Sequence, residues 1–164
     1  MATLNILKYP NPLLKEVCED VTEIDGRITA FIRDLVDTMR ASPGVGLAAP
    51  QIGALLRIIA VDVTPRHPGM GLAVLINPCI LAYGGSRTVR EGCLSVPDYT
   101  ANITRAATVT VKGVDPEGTE VELCSTGFEA VVFQHEIDHL DGVLFLDRIA
   151  NVKRDLFRRK IKEL

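Results

Sequence analysis

Phe133-Gln134-His135-Glu136-Ile137-Asp138-His139-Leu140-Asp141-Gly142 is the stretch from which the rest of this chain is read. On a helix, residues four apart share a face, with Cβ atoms about 5–6 Å from one another. His135 and His139 so placed can grip one metal ion. Glu136 completes the H-E-x-x-H arrangement: two ligands and a carboxylate able to take a proton from a metal-bound water. Thr126-Gly127-Phe128-Glu129 has the S/T-x-x-E pattern of a capping box. It predicts a helix from that point through Leu140, with Gly142 as the stop. Phe128, Val131, Val132, His135 and His139 fall on one face, and Phe133, Ile137 and Leu140 on a neighbouring one. A helix apolar around most of its surface is buried, so this one is expected at the centre of the fold. An unpaired imidazole or carboxylate there costs free energy, and a shared metal satisfies both imidazoles.

Around this helix the chain reads as mixed α and β. Asp25 is a candidate N-cap for an amphipathic helix over about 26–40, with Ile28, Phe31, Ile32, Leu35 and Met39 at helical spacing. Ser42-Pro43-Gly44 ends it. Strands are expected at 57–63, at 72–81 with an interruption near Pro78, at 108–114 and at 120–124. Gly84-Gly85 is expected to turn a hairpin into 86–90. Residues 151–164 read as a separate helix, with Val152, Leu156 and Ile161 inward and a crowd of Lys and Arg outside. The 164 residues suit one domain, and no internal repeat or low-complexity linker divides them.

A net charge of -3 supplies no global basic field for nucleic acid. The N-terminal residues show no apolar signal segment, and no run of 18 apolar residues suggests a membrane span. Four cysteines without a C-x-x-C pair are too sparse for a disulfide scaffold. The reading is a cytoplasmic protein whose thiols are reduced and free to bind metal.

A catalytic site of this type has three protein ligands and one open position. His67 lies in a Pro/Gly loop that reads as exposed. Cys18, Cys79 and Cys124 sit in short apolar or strand-like surroundings, where a buried cysteine acts as a small hydrophobe. Cys93, between Gly92 and Leu94, has a modest lead, and the residues alone leave the third ligand open. In Gly44-Val45-Gly46-Leu47-Ala48-Ala49-Pro50-Gln51 the small residues permit close backbone approach. A buried Gln51 amide could donate to an oxyanion beside a metal.

That segment, Glu91-Gly92-Cys93-Leu94-Ser95, and Gln134-His135-Glu136-Ile137-Asp138-His139 are, in order and spacing, similar to the three signature motifs of peptide deformylases. The resemblance runs over essentially the whole chain. It implies an α+β fold in one catalytic domain over 1–164, with antiparallel β-sheets wrapped around a central metal-binding helix, and an additional N-terminal and C-terminal helix. It implies removal of the formyl group from the N-terminal N-formylmethionine of newly made polypeptides, releasing formate. Carried over residue by residue, Cys93, His135 and His139 bind the metal, and Glu136 is the general acid/base. Gln51 and the backbone N–H of Leu94 hold the formyl oxygen. Val45, Gly46, Phe128, Val131 and Val132 line the methionine pocket, and Glu91 and Gly92 flank the groove.

The metal implied is one divalent ion, natively ferrous iron (Fe2+), with Zn2+, Ni2+ or Co2+ as replacements. The partners implied are N-formylmethionyl nascent peptides and ribosomal RNA, the latter through the basic helix at 151–164, with no membrane or DNA partner and the chain a monomer. Arg105 is expected to pair with Asp138 behind the metal helix. Thr100 departs from the family, many bacterial members of which carry arginine there. A metalloprotease would need a downstream ligand, and no histidine follows His139. A silent homologue would have lost Glu136 or a ligand.

Overall fold

A computed structural model describes residues 3–159. Two helices and eight strands form its frame: α1 (Gly26–Arg40), β1 (Gly46–Ala48), β2 (Ile58–Val61), β3 (Ala73–Gly84), β4 (Arg87–Cys93), β5 (Val96–Arg105), β6 (Thr108–Val114), β7 (Glu120–Thr126), α2 (Gly127–Leu140) and β8 (Leu156–Arg158), with a one-turn helix α3 (Val152–Asp155) before the last strand. One sheet has the order β1-β2-β3-β6-β7 and the other β4-β5-β8. Every strand pair in them is antiparallel.

The order follows from where apolar side chains can hide. Every α2 residue from Glu129 to Leu140 is buried. Ala130, Val132, Phe133, Ile137 and Leu140 pack on Ile59, Val61, Leu75, Val109 and Val111. The alternate residues of β2, Ile58 and Ala60, point to the opposite side and meet Ile32, Leu35 and Met39 of α1. A strand covered on both faces reads as an unbroken apolar run, which is the pattern Ile-Ile-Ala-Val shows. The smaller sheet contributes Val96, Ala101 and Ile103 to a third cluster with Cys93 and Phe145. The metal-motif helix is thus enclosed between the sheets. Full burial of Phe133 makes its truncation to alanine cost about 3–5 kcal/mol.

Helix ends are set locally. The Asp25 side chain accepts from the N–H groups of Arg27 and Ile28, capping α1 as expected. At the end of α2, Val143 N–H donates to Asp138 O (3.0 Å) and Gly142 N–H to His139 O (3.2 Å). This is a Schellman stop, with Gly142 at φ 72°. A Cβ there would run into the Lys15 carbonyl.

Four expectations are corrected. Thr126 makes no side-chain cap bond. It is the last residue of β7, paired opposite Thr108, and Glu129 instead accepts from Ser125 Oγ and Met70 N–H. Gly84-Gly85 is not a hairpin turn. β3 already pairs with β2 and β6, so the chain crosses to the other sheet, where β4 pairs with β5. The C-terminal helix is one turn long: after Asp155 the backbone extends and pairs with β5, and residues 160–164 lie outside the described residues. Of Cys18, Cys79 and Cys124, Cys18 alone is buried; the other two lie on the exposed face of the larger sheet. The interruption near Pro78 is a bulge at Asn77 (φ 52°), whose amide bonds both backbone groups of Val21. Among the described residues no helix is long and apolar enough to cross a membrane.

Candidate active site

Three elements bring the sequence motifs together. β4 ends at Cys93, which pairs with Val96 across a two-residue turn of Leu94 and Ser95. That turn presents the thiol toward α2. Cys93 Sγ lies 3.4 Å from His139 Nε2, and donor atoms of Cys93, His135 and His139 all fall within 4.8 Å of one another, each residue buried. An ion with bonds of about 2.0–2.3 Å in tetrahedral geometry holds its ligand atoms roughly 3.3–3.8 Å apart. The triad fits such an ion. Glu136 Oε1, buried without a protein partner on a residue that lines the same site, leaves an acceptor for a further polar occupant. Cys18, the rival buried thiol, sits in the apolar cluster, where burial pushes it up to about 11.

His135 is oriented from behind. Its Nδ1 meets Glu91 Oε1 at 2.8 Å, which leaves Nε2 for the ion. Glu91 also accepts two bonds from Arg105, at 2.5 and 3.0 Å. Arg105 continues to Asp138 at 2.9 Å, as expected, and Asp138 also accepts a fork from Arg148. Burial acts to raise the Glu91 carboxyl, but the bonds from His135 and Arg105 outweigh it and hold it down to about 2. His139 is held well below its ordinary value by burial, which suits a neutral ligand. Glu136 has no such cation at hand. Burial pushes it up to about 7, against partial relief from His135.

Gln51 is fixed at both ends. Its Oε1 accepts from Ala48 N–H at 2.9 Å, which settles the amide's orientation, and its Nε2 donates to Ser95 Oγ at 3.1 Å and toward Cys93 Sγ at 3.6 Å. The amide N–H groups therefore face the triad. β1 passes so close to α2 that a Cβ on Gly46 would sit 2.5 Å from Glu136 Oε2 and 2.8 Å from Val132 Cγ1.

A cavity of about 490 Å³ opens in front of these groups. Gln51, Cys93, Leu94, His135 and Glu136 line it, as do Val45, Gly46, Gly92, Phe128, Val131 and Val132. Glu91 reaches its wall, although its carboxylate is turned to Arg105 and His135. His139 is in the triad but does not line the cavity. The sequence reading missed Lys8, Pro43, Arg66, His67, Arg90 and Arg159, which also line it. They come from loops, from β4 and from just after the last strand, where no periodicity points to a site. It also missed Ser95 and Arg148; the former sat inside a quoted motif.

A model of the family described as "Polypeptide deformylase" matches residues 3–155. A peptide deformylase of Thermodesulfovibrio yellowstonii is 48% identical over 162 residues, 99% of this chain and 98% of its own length. The crystal structure of a peptide deformylase from Legionella pneumophila is similar with a TM-score of 0.87 at 39% identity, over 93% of this chain and 89% of that one. A Met-ala-ser bound structure of the class I type b peptide deformylase from Acinetobacter baumannii gives 0.86 at 35%, over 90% of this chain and 99% of that one.

Proposed function

The chain belongs to the peptide deformylase family, a family of metallohydrolases, and on that premise we propose that it removes the formyl group from N-terminal formylmethionine of newly made polypeptides, releasing formate. One observation carries the reading: the Cys93/His135/His139 triad, the fixed Gln51 amide and the buried Glu136 converge on one cavity. Cys93, His135 and His139 would hold one divalent ion, and such an ion, when bound, polarises a carbonyl oxygen and lowers the pKa of a water. Two nitrogens and a sulfur suit ferrous iron, the native ion in this reading, and equally Zn2+, Ni2+ or Co2+.

The residues divide the remaining work. Glu136, raised to about 7 by burial, takes the proton of the attacking water and returns it to the departing amine. Gln51 Nε2 and the Leu94 N–H donate to the formyl oxygen as it gains negative charge. Val45, Gly46, Phe128, Val131 and Val132 form the apolar wall for the methionine side chain. Gly46 has to be glycine for the substrate backbone to pass beside Glu136. The Met-ala-ser tripeptide bound by the Acinetobacter baumannii relative supports a peptide beginning with methionine as occupant.

The setting that follows is the cytoplasm, where nascent chains emerge, with the enzyme acting as a monomer in a single domain. Ribosome approach rests here on exposed cations of 152–158, Lys153 and Arg158 among them, rather than on a long helix. Sedimentation with ribosomes at increasing salt tests it, and binding indifferent to salt and to removal of these charges removes the idea. The central test is formate release from formyl-Met-Ala-Ser by anaerobically prepared protein with its metal quantified in the same sample. Full metal occupancy without formate would overturn the proposed function.

A further inference from the structure

Arg159 is the last described residue, and it lines the cavity although nothing in its surroundings along the chain is a site motif. Its backbone is pinned. β8 pairs with β5 in the register Tyr99↔Arg158 and Thr100↔Phe157, and Arg159 N–H donates to Asp98 O at 2.8 Å. From that anchor the side chain crosses over β4. A Cβ on Gly92 would lie 2.5 Å from Arg159 Nη2 and 3.5 Å from Thr100 Cγ2. The bare backbone of Gly92 and the short side chain of Thr100 together leave the channel through which this guanidinium reaches the cavity mouth.

The neighbouring cation is differently employed. Arg90 lies 3.6 Å over the Phe157 ring and donates to Asn102. For the Arg159 guanidinium, the described residues provide no side-chain hydrogen-bond or ion-pair partner. A guanidinium presents five donors in a fixed fork and no acceptor. One held at the mouth of a peptide-sized cavity suits carbonyl or carboxylate oxygens.

We propose that Arg159 is a substrate-binding residue that clamps main-chain oxygens of the peptide, beyond its first residue, where it leaves the cavity over Gly92. The proposal rests on the peptide-deformylating reading above and extends it to a residue supplied by the C-terminal strand.

The test compares formate release from formyl-Met-Ala-Ser and from formylmethionine amide, which ends before the mouth. The proteins are metal-loaded wild type, Arg159→Ala, Arg159→Lys and Gly92→Ala. Gly92 has no positive φ, so alanine strains no backbone there, and the group its Cβ would meet most closely is the guanidinium. Loss of a charge-assisted hydrogen bond should raise KM for the tripeptide about tenfold in Arg159→Ala, leaving kcat within about twofold. Gly92→Ala should also raise the tripeptide KM, Arg159→Lys should recover part of the loss, and the amide should sense neither Arg159→Ala nor Arg159→Lys. An unchanged tripeptide KM in Arg159→Ala overturns the clamp, as does an equal rise for the amide. If wild type releases no formate from either compound, the deformylating reading fails. The clamp is then read from calorimetric titration of Met-Ala-Ser, where equal Kd for wild type and Arg159→Ala overturns it and weaker binding by the variant sustains it.

Discussion

Replacing Arg105 by methionine tests whether the buried charge network behind the metal helix holds the site together. Methionine fills most of the volume, so the perturbation is electrostatic rather than a cavity. Arg105 is 6% exposed, and it bonds Glu91 twice and Asp138 once. Removing one partner of a buried ion pair costs about 3–5 kcal/mol, because the remaining charge stays buried. Neither carboxylate is left bare here: Glu91 keeps His135, and Asp138 keeps the fork from Arg148. The lower end, about 3 kcal/mol, is therefore expected. For a domain of this size that corresponds to a fall in Tm of about 6–12 °C. Calorimetry on the chelator-treated protein is the assay, since a bound ion would add its own stabilisation. Arg148→Met is the control. Its side chain is 47% exposed, so its bonds to the same Asp138 are screened and worth under about 1 kcal/mol. Arg105→Met combined with Glu91→Gln and Asp138→Asn should regain much of the loss, because no buried carboxylate remains unpaired and the Arg148 charge left behind is half-exposed. A Tm for Arg105→Met within 2 °C of wild type, or an equal loss in Arg148→Met, would refute the reasoning.

Because Glu91 orients His135, Arg105→Met should also weaken metal binding about tenfold, measured by competition with a chromophoric chelator. Glu136→Gln should retain the metal and lower formate release by about 10²–10⁴-fold; turnover near wild type would remove Glu136 from its role. Cys93→Ala should lose the metal on dialysis, and full occupancy by elemental analysis would point to another third ligand. Gly46→Ala brings a Cβ within 2.5 Å of Glu136 Oε2, so activity should fall further than Tm; a fall in Tm alone would assign Gly46 to packing.

The central helix was legible because its residues carry two independent signals, apolar character around the whole circumference and a metal spacing along one face. α1 was legible from a cap and a period, and β2, β6 and β7 from alternation or short apolar runs. What failed was long-range pairing. Gly84-Gly85 has the composition of a hairpin turn, yet which strand pairs with β3 is decided by β2 and β6 competing for its two edges. The basic tail has helical spacing, yet the backbone at Leu156–Arg158 extends because β5 offers an open edge at Tyr99–Ala101. The same pairing explains the site residue that spacing could not disclose. Thr100 was legible as a departure from the family, but only the fold puts Arg159, 59 positions later, across the gap beside it. Cysteine chemistry alone could not choose Cys93, since its fitness depends on a two-residue turn facing histidines more than 40 residues away.

Two carboxylates within the one site are driven apart by their neighbours, and in the proposed reaction that separation gives them different work. Glu91 faces Arg105 and the His135 ring, so its charge is fixed, with the carboxyl held down to about 2; it can orient a ligand but not shuttle a proton near neutrality. Glu136, one residue after His135, lies beside β1 with no guanidinium bonded to it, and Arg105 lowers it only from a distance. Burial lifts it to about 7, where gaining and losing a proton are nearly balanced. Arg105 makes this division possible by spending its fork on Glu91 and Asp138, behind the helix, and away from the cavity. A cation of similar reach on the cavity side would stabilise the Glu136 carboxylate and weaken it as a base. The positive charges that do line the cavity, Lys8, Arg66, Arg90 and Arg159, stand on its loops, β4 and the end of β8 rather than on α2. That arrangement lets them meet a peptide without quenching the buried acid.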